Sequence, residues 1–100
     1  MKYNKLVRDK IPEYIAEKGG NAVTHVANET EYWQKLKEKL QEEVSEFLEA
    51  ETQEELADIL EVIEAICEHQ KIDATKLQQI KTEKAERRGR FKKRIILDES

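Results

Sequence analysis

Apolar residues recur at three- and four-residue intervals in two long blocks of the chain, the period of an α-helix. In the first block Trp33, Leu36, Leu40, Val44, Phe47 and Leu48 fall within an arc of about 120°, one continuous stripe. Asn28 or Thr30 can cap this helix, which is predicted to end near Ala50. The second block, Leu56, Ile59, Leu60, Ile63, Ile66 and Cys67, follows Thr52-Gln53-Glu54-Glu55, which has the S/T-x-x-E form of a capping box. A turn of two or three residues separates the two helices and makes them antiparallel neighbours.

Shorter elements flank this hairpin. Pro12 suits the first turn of a helix over Pro12–Lys18, and Gly19-Gly20-Asn21 stops it. Ala22-Val23-Thr24-His25-Val26-Ala27 is β-branched and reads as a short strand. A fourth helix is predicted from about Asp73 to Arg88, ended by Gly89. The tail is strand-like around Ile95-Ile96-Leu97, with the 22–27 strand or the N-terminal segment as its expected partner. The expected fold is mainly α: a single domain over residues 1–100, an antiparallel bundle of about four helices with short terminal strand-like segments.

Composition sharpens this. Charged residues are 40% of the chain, against roughly 25% in an average domain, and only 38% is hydrophobic. So small and polar a chain has little core of its own, so a homo-oligomer, a dimer or tetramer, is expected. The net charge of −4 argues against a dedicated DNA or RNA binder. Apolar runs of a few residues exclude a transmembrane helix. MKYNKLVRDK has no secretory h-region and Cys67 has no partner, so a cytoplasmic location is expected.

Chemistry must then come from carboxylates and cations. Glu42, Glu43 and Glu46 flank the first stripe, and Glu55 and Asp58 flank the second, each helix carrying an i, i+3 acidic pair on one shoulder. With the turn at Glu51-Thr52 and a rise of about 1.5 Å per residue, Glu46 comes level with Glu55 and Glu43 with Asp58. Four converging acids repel one another unless a cation relieves them, and oxygen-only ligands select Mg²⁺, Mn²⁺ or Ca²⁺. Plainer roles exist: Glu55 as the N3 residue of its capping box, and Glu43 and Glu46 as partners of Lys39 or Lys35 on a solvated face.

On the fourth helix Lys81, Lys84 and Arg88 lie in line with Leu77 and Ile80, so a stripe that begins apolar turns cationic. Such a face calls for an anionic partner, the acidic cluster or a polyphosphate. Lys5, Arg8 and Lys10 form a second basic group. Arg87, Arg90, Lys92, Lys93 and Arg94 read instead as a basic tail for ion pairing. Trp33 reads as core, Tyr32 on the acidic shoulder as a base-stacking candidate, and His25 and His69 have no telling spacing.

Glu42-Glu43-x-x-Glu46 followed by Glu55-x-x-Asp58 resembles the EExxE…ExxD signature of the MazG-like, all-α NTP pyrophosphohydrolase superfamily. The opening Tyr3–Pro12 block and the closing Lys84–Phe91 block resemble its phosphoribosyl-ATP pyrophosphohydrolase-like subgroup. The resemblance implies a helical bundle, an oligomer, Mg²⁺, and hydrolysis of a nucleoside triphosphate or phosphoribosyl-ATP-like substrate to the monophosphate and pyrophosphate. Eight residues separate Glu46 from Glu55, fewer than in many members, which removes a loop available for base selection. On this reading Glu43, Glu46, Glu55 and Asp58 hold Mg²⁺ or Mn²⁺ and Glu42 or Glu46 is the general base. Lys81, Lys84, Arg88, Lys5 and Arg8 bind phosphate. The rival reading is a non-catalytic helical binding or oligomerisation module that keeps the fold.

Overall fold

In a computed structural model, which describes residues 3–100, four helices follow one another: α1 (Ile11–Glu17), α2 (Glu29–Ala50), α3 (Gln53–Gln70) and α4 (Ala74–Arg88). The boundaries follow the capping chemistry. The Asn28 side chain accepts from the Glu31 N–H at 2.9 Å, and Glu29 and Glu31 sit in the positive first turn of α2. Glu51 turns left-handed (φ 55°) as its N–H closes onto the Phe47 carbonyl, and Thr52 at once caps α3 through the Glu55 N–H. At the far end Lys71 is again left-handed, the Ile72 N–H reaches back to the Cys67 carbonyl, and Asp73 caps α4.

Among the described residues, only α2 and α3 pack extensively on each other. Their seam buries Leu36 completely and Val62 almost so, with Trp33, Leu40, Phe47, Ile59, Ile66 and Cys67 half-buried. Leu6, Ile11 and Pro12 add half-buried apolar surface from the N-terminal segment. The molecule is long and thin, 55 × 31 × 23 Å, with a radius of gyration of 17.8 Å. A compact chain of this length has about 13 Å.

Two features depart from the sequence expectations. Among the described residues there is no strand: 22–27 and the tail run without a ladder, and Val23, Val26, Ile95, Ile96 and Leu97 are exposed. β-branched residues favour extended backbone, yet a strand without a paired edge gains nothing to hold it. The α4 stripe does not point inward either. Leu77 and Ile80 are 40% and 48% exposed, because two large apolar residues in a 15-residue helix supply too little burial to dock it.

Leu36→Ala should lower unfolding free energy by about 2–5 kcal/mol, measured by urea titration followed by circular dichroism. A loss under 1 kcal/mol, on the order of a surface substitution, would show that the seam is not the core.

Candidate metal-binding site between α2 and α3

The antiparallel register brings one carboxylate oxygen each from Glu43, Glu55 and Asp58 to within 4.8 Å of one another. Glu43 is a buried acid, 6% exposed, on the α2 face turned toward α3. Its Oε1 accepts from Lys39 at 3.2 Å, the i, i+4 partner one turn before it. Its Oε2, and Oε2 of Glu55, are buried with no hydrogen-bond partner. Carboxylate oxygens in that state are costly unless something positive meets them.

Titration reflects this. Burial pushes the Glu43 carboxyl above its ordinary value; Lys39 opposes the shift and the Glu46 carboxylate beside it adds to it. For Glu42, burial would also raise the pKa, but Lys5 and Lys39 together outweigh it and hold the group below the usual carboxylate value.

The other expected site residues divide clearly. Glu46 is exposed and stands outside the three-carboxylate group, close enough to act on Glu43 electrostatically. Lys5 and Arg8 reach the site, as partners of acids: Lys5 donates to Glu42 at 3.1 Å, and Arg8 to Asp58 at 2.8 Å, with Glu61 4.0 Å away. Lys81, Lys84 and Arg88 lie exposed on the undocked α4 and are not gathered with the carboxylates. Tyr32 sits eleven residues before Glu43, about 16 Å along the helix, with its ring edge-on to His69. Trp33 stacks on the same imidazole, ring planes 9° apart. Tyr32 is thus engaged at the opposite end of the hairpin from the acids.

Three of these placements carried weak sequence signals. Lys39 was visible only as an ordinary i, i+4 partner. Arg8 and Asp58 are fifty residues apart in sequence, with no pattern linking them. His69 faces Tyr32 through the same register that sets Asp58 against Glu43. Beside the carboxylates lies a cavity of about 630 Å³, bounded by Leu6, Arg8, Lys39, Glu43, Asp58 and Val62 among others.

The donor set fits a hard divalent cation. It offers oxygen only, from three acids on two elements held in fixed register, with two buried oxygens lacking partners.

The chain is 44% identical over 50 residues to an uncharacterized protein of Mycolicibacterium smegmatis, a match spanning 50% of this chain and 51% of the relative. No family model and no solved structure matches the chain.

The raised Glu43 pKa has a definite sign in stability. Below the unfolded-state value both states hold the proton and Glu43 has no differential effect. Between the two values the unfolded state ionises while the folded state still holds its proton, so stability falls, and the loss is complete once pH has risen through the folded value. In chelator, Glu43→Gln should therefore melt above the wild type at pH 7, the gap closing as pH falls below the carboxylate range. Equal melting temperatures at both pH values would remove the buried-charge account.

Proposed function

We propose that the chain is a Mg²⁺- or Mn²⁺-dependent pyrophosphohydrolase acting on nucleoside triphosphates or a phosphoribosyl-ATP-like substrate, releasing the monophosphate and pyrophosphate. The observation that carries this reading is the pair of partnerless buried oxygens, one on Glu43 of α2 and one on Glu55 of α3, two of the three acids that meet with Asp58. The EExxE…ExxD spacing of the MazG-like superfamily supports it, and so does the cavity beside the acids.

In this reading Glu43, Glu55 and Asp58 would hold the divalent cation, with Glu46 joining from the exposed edge. The cation would polarise phosphate oxygens and make a bound water more acidic. Of the two candidates for general base, Glu46 is the better. Glu42 is held ionised by Lys5 and Lys39, which weakens it as a proton acceptor, whereas Glu46 stands outside those lysine contacts. Lys5 and Arg8 are the nearest cations for the charge developing on departing pyrophosphate. Lys81, Lys84 and Arg88 can serve phosphate only if α4 docks more closely or a second copy presents them. Tyr32, about 16 Å along α2 from Glu43, would stack a base only if the substrate lay extended along the hairpin. No described helix is long and apolar enough to cross a membrane, and the free Cys67 fits the reducing cytoplasm, where such substrates occur.

A homo-oligomer belongs to the same proposal. Val44 and Leu48 on α2 and Leu56, Leu60 and Ile63 on α3 are 37–69% exposed, an apolar face left over after the seam is filled. That face also favours the rival reading, a helical assembly module without turnover.

Glu55→Gln and Asp58→Asn should each weaken Mn²⁺ binding by about one to two decades in calorimetry and abolish Mg²⁺-dependent pyrophosphate release from a nucleoside triphosphate panel. Mn²⁺ binding with no pyrophosphate from any substrate, phosphoribosyl-ATP included, would favour the module.

For assembly, the wild type should scatter light as a dimer or tetramer at micromolar concentration, and Leu48→Glu should shift it to the monomer mass. A wild-type monomer would end the oligomer proposal.

A further inference from the structure

Three cations pair with acids on α2 and α3 near this site, and two of them come from the same short segment. Lys39 belongs to α2, but Lys5 and Arg8 belong to residues 3–10, which form no helix or strand. This segment is tied down at one point by the Lys35 ammonium, which donates to the Asn4 carbonyl at 2.8 Å. Asn4 itself is left-handed (φ 49°), so the chain bends there before crossing the acids. The Arg8 guanidinium then spans Asp58 and Glu61, one helical turn apart on α3.

These contacts are of a kind that exchanges. Arg8 is 56% and Asp58 38% exposed, and ion pairs in that setting are weak and sensitive to salt. The partnerless oxygens, by contrast, are on Glu43 and Glu55, deeper in the seam and out of any contact with the segment's cations. A divalent cation entering there would draw Asp58 inward and stand close to a guanidinium of like sign. One acid cannot serve both cations at full strength.

Resting on the reading of Glu43, Glu55 and Asp58 as a metal site, we propose that residues 3–10 are a cation strap that competes with the divalent ion for Asp58. Metal binding displaces Arg8, and with it Lys5, from the acids. The two released side chains are then the nearest unpaired positive charges at the cavity mouth, where a phosphate chain would meet them. The strap thereby couples loading of the metal to formation of the phosphate-binding charge.

The test uses the whole chain and Mn²⁺ alone, with no nucleotide. Calorimetry at low ionic strength should show Arg8→Gln binding Mn²⁺ roughly two- to fivefold more tightly than the wild type, the factor by which a weak exposed ion pair can compete. Lys5→Gln should move the same way by a smaller factor, and circular dichroism should show unchanged helix content in both. In the wild type, Mn²⁺ should accelerate tryptic cleavage after Lys5 and Arg8. Weaker or equal Mn²⁺ binding by Arg8→Gln would mean that Arg8 positions Asp58 or is indifferent to it, and would overturn the strap while leaving the metal site intact. Slower cleavage on adding Mn²⁺ would overturn it too. Absence of Mn²⁺ binding in both wild type and Arg8→Gln would remove the metal-site reading itself, and the strap with it.

Discussion

Two residues set the geometry of everything else. Glu51 takes a left-handed conformation so that α2 can end, and Thr52 caps α3 immediately, leaving no slack for the two helices to slide. That closure decides which side chains face each other for the whole length of the hairpin. Near the turn it opposes acids to acids, Glu43 to Asp58; eleven residues further along each helix it opposes Tyr32 to His69. A longer connection would permit other registers, and the carboxylates would no longer be held level.

The same hairpin supplies nearly all the burial the chain has, and one of its buried positions is spent on an acid. Glu43 sits where a leucine would add to the seam, with one oxygen on Lys39 and the other buried without a partner. In a chain with so little core this local destabilisation is a large fraction of what is available. A cation at these carboxylates, as the proposed metal site requires, would offset that cost.

Much of this was legible in the sequence, for reasons that also explain what was not. The helices declare themselves because periodic apolar residues and capping side chains act over a few residues, so Asn28, Thr52, Asp73 and Gly89 mark real boundaries. The meeting of Glu43 with Asp58 follows from counting outward from the turn. Glu46 lies on the exposed edge of the group, beside Glu43, a difference in burial that counting heights along the helix does not see. Strand propensity at 22–27 and the inward stripe of α4 misled because both depend on a partner surface, and propensity carries no information about whether one exists. The salt links of Lys5 and Arg8 to Glu42 and Asp58 were beyond reach for the related reason that they join segments distant in sequence.

The stack of Trp33 on His69 has a practical side. This is the only tryptophan in the chain, and it lies across the α2–α3 seam from its partner, with the Lys37 ammonium 5.3 Å from the ring centre. An indole in van der Waals reach of an imidazole has its emission quenched, and more so when the ring is protonated. The protein therefore carries an intrinsic optical gauge of whether its hairpin is zipped. Because the indole is far along the helices from Glu43 and Asp58, that gauge reads the integrity of the scaffold separately from events at the acids.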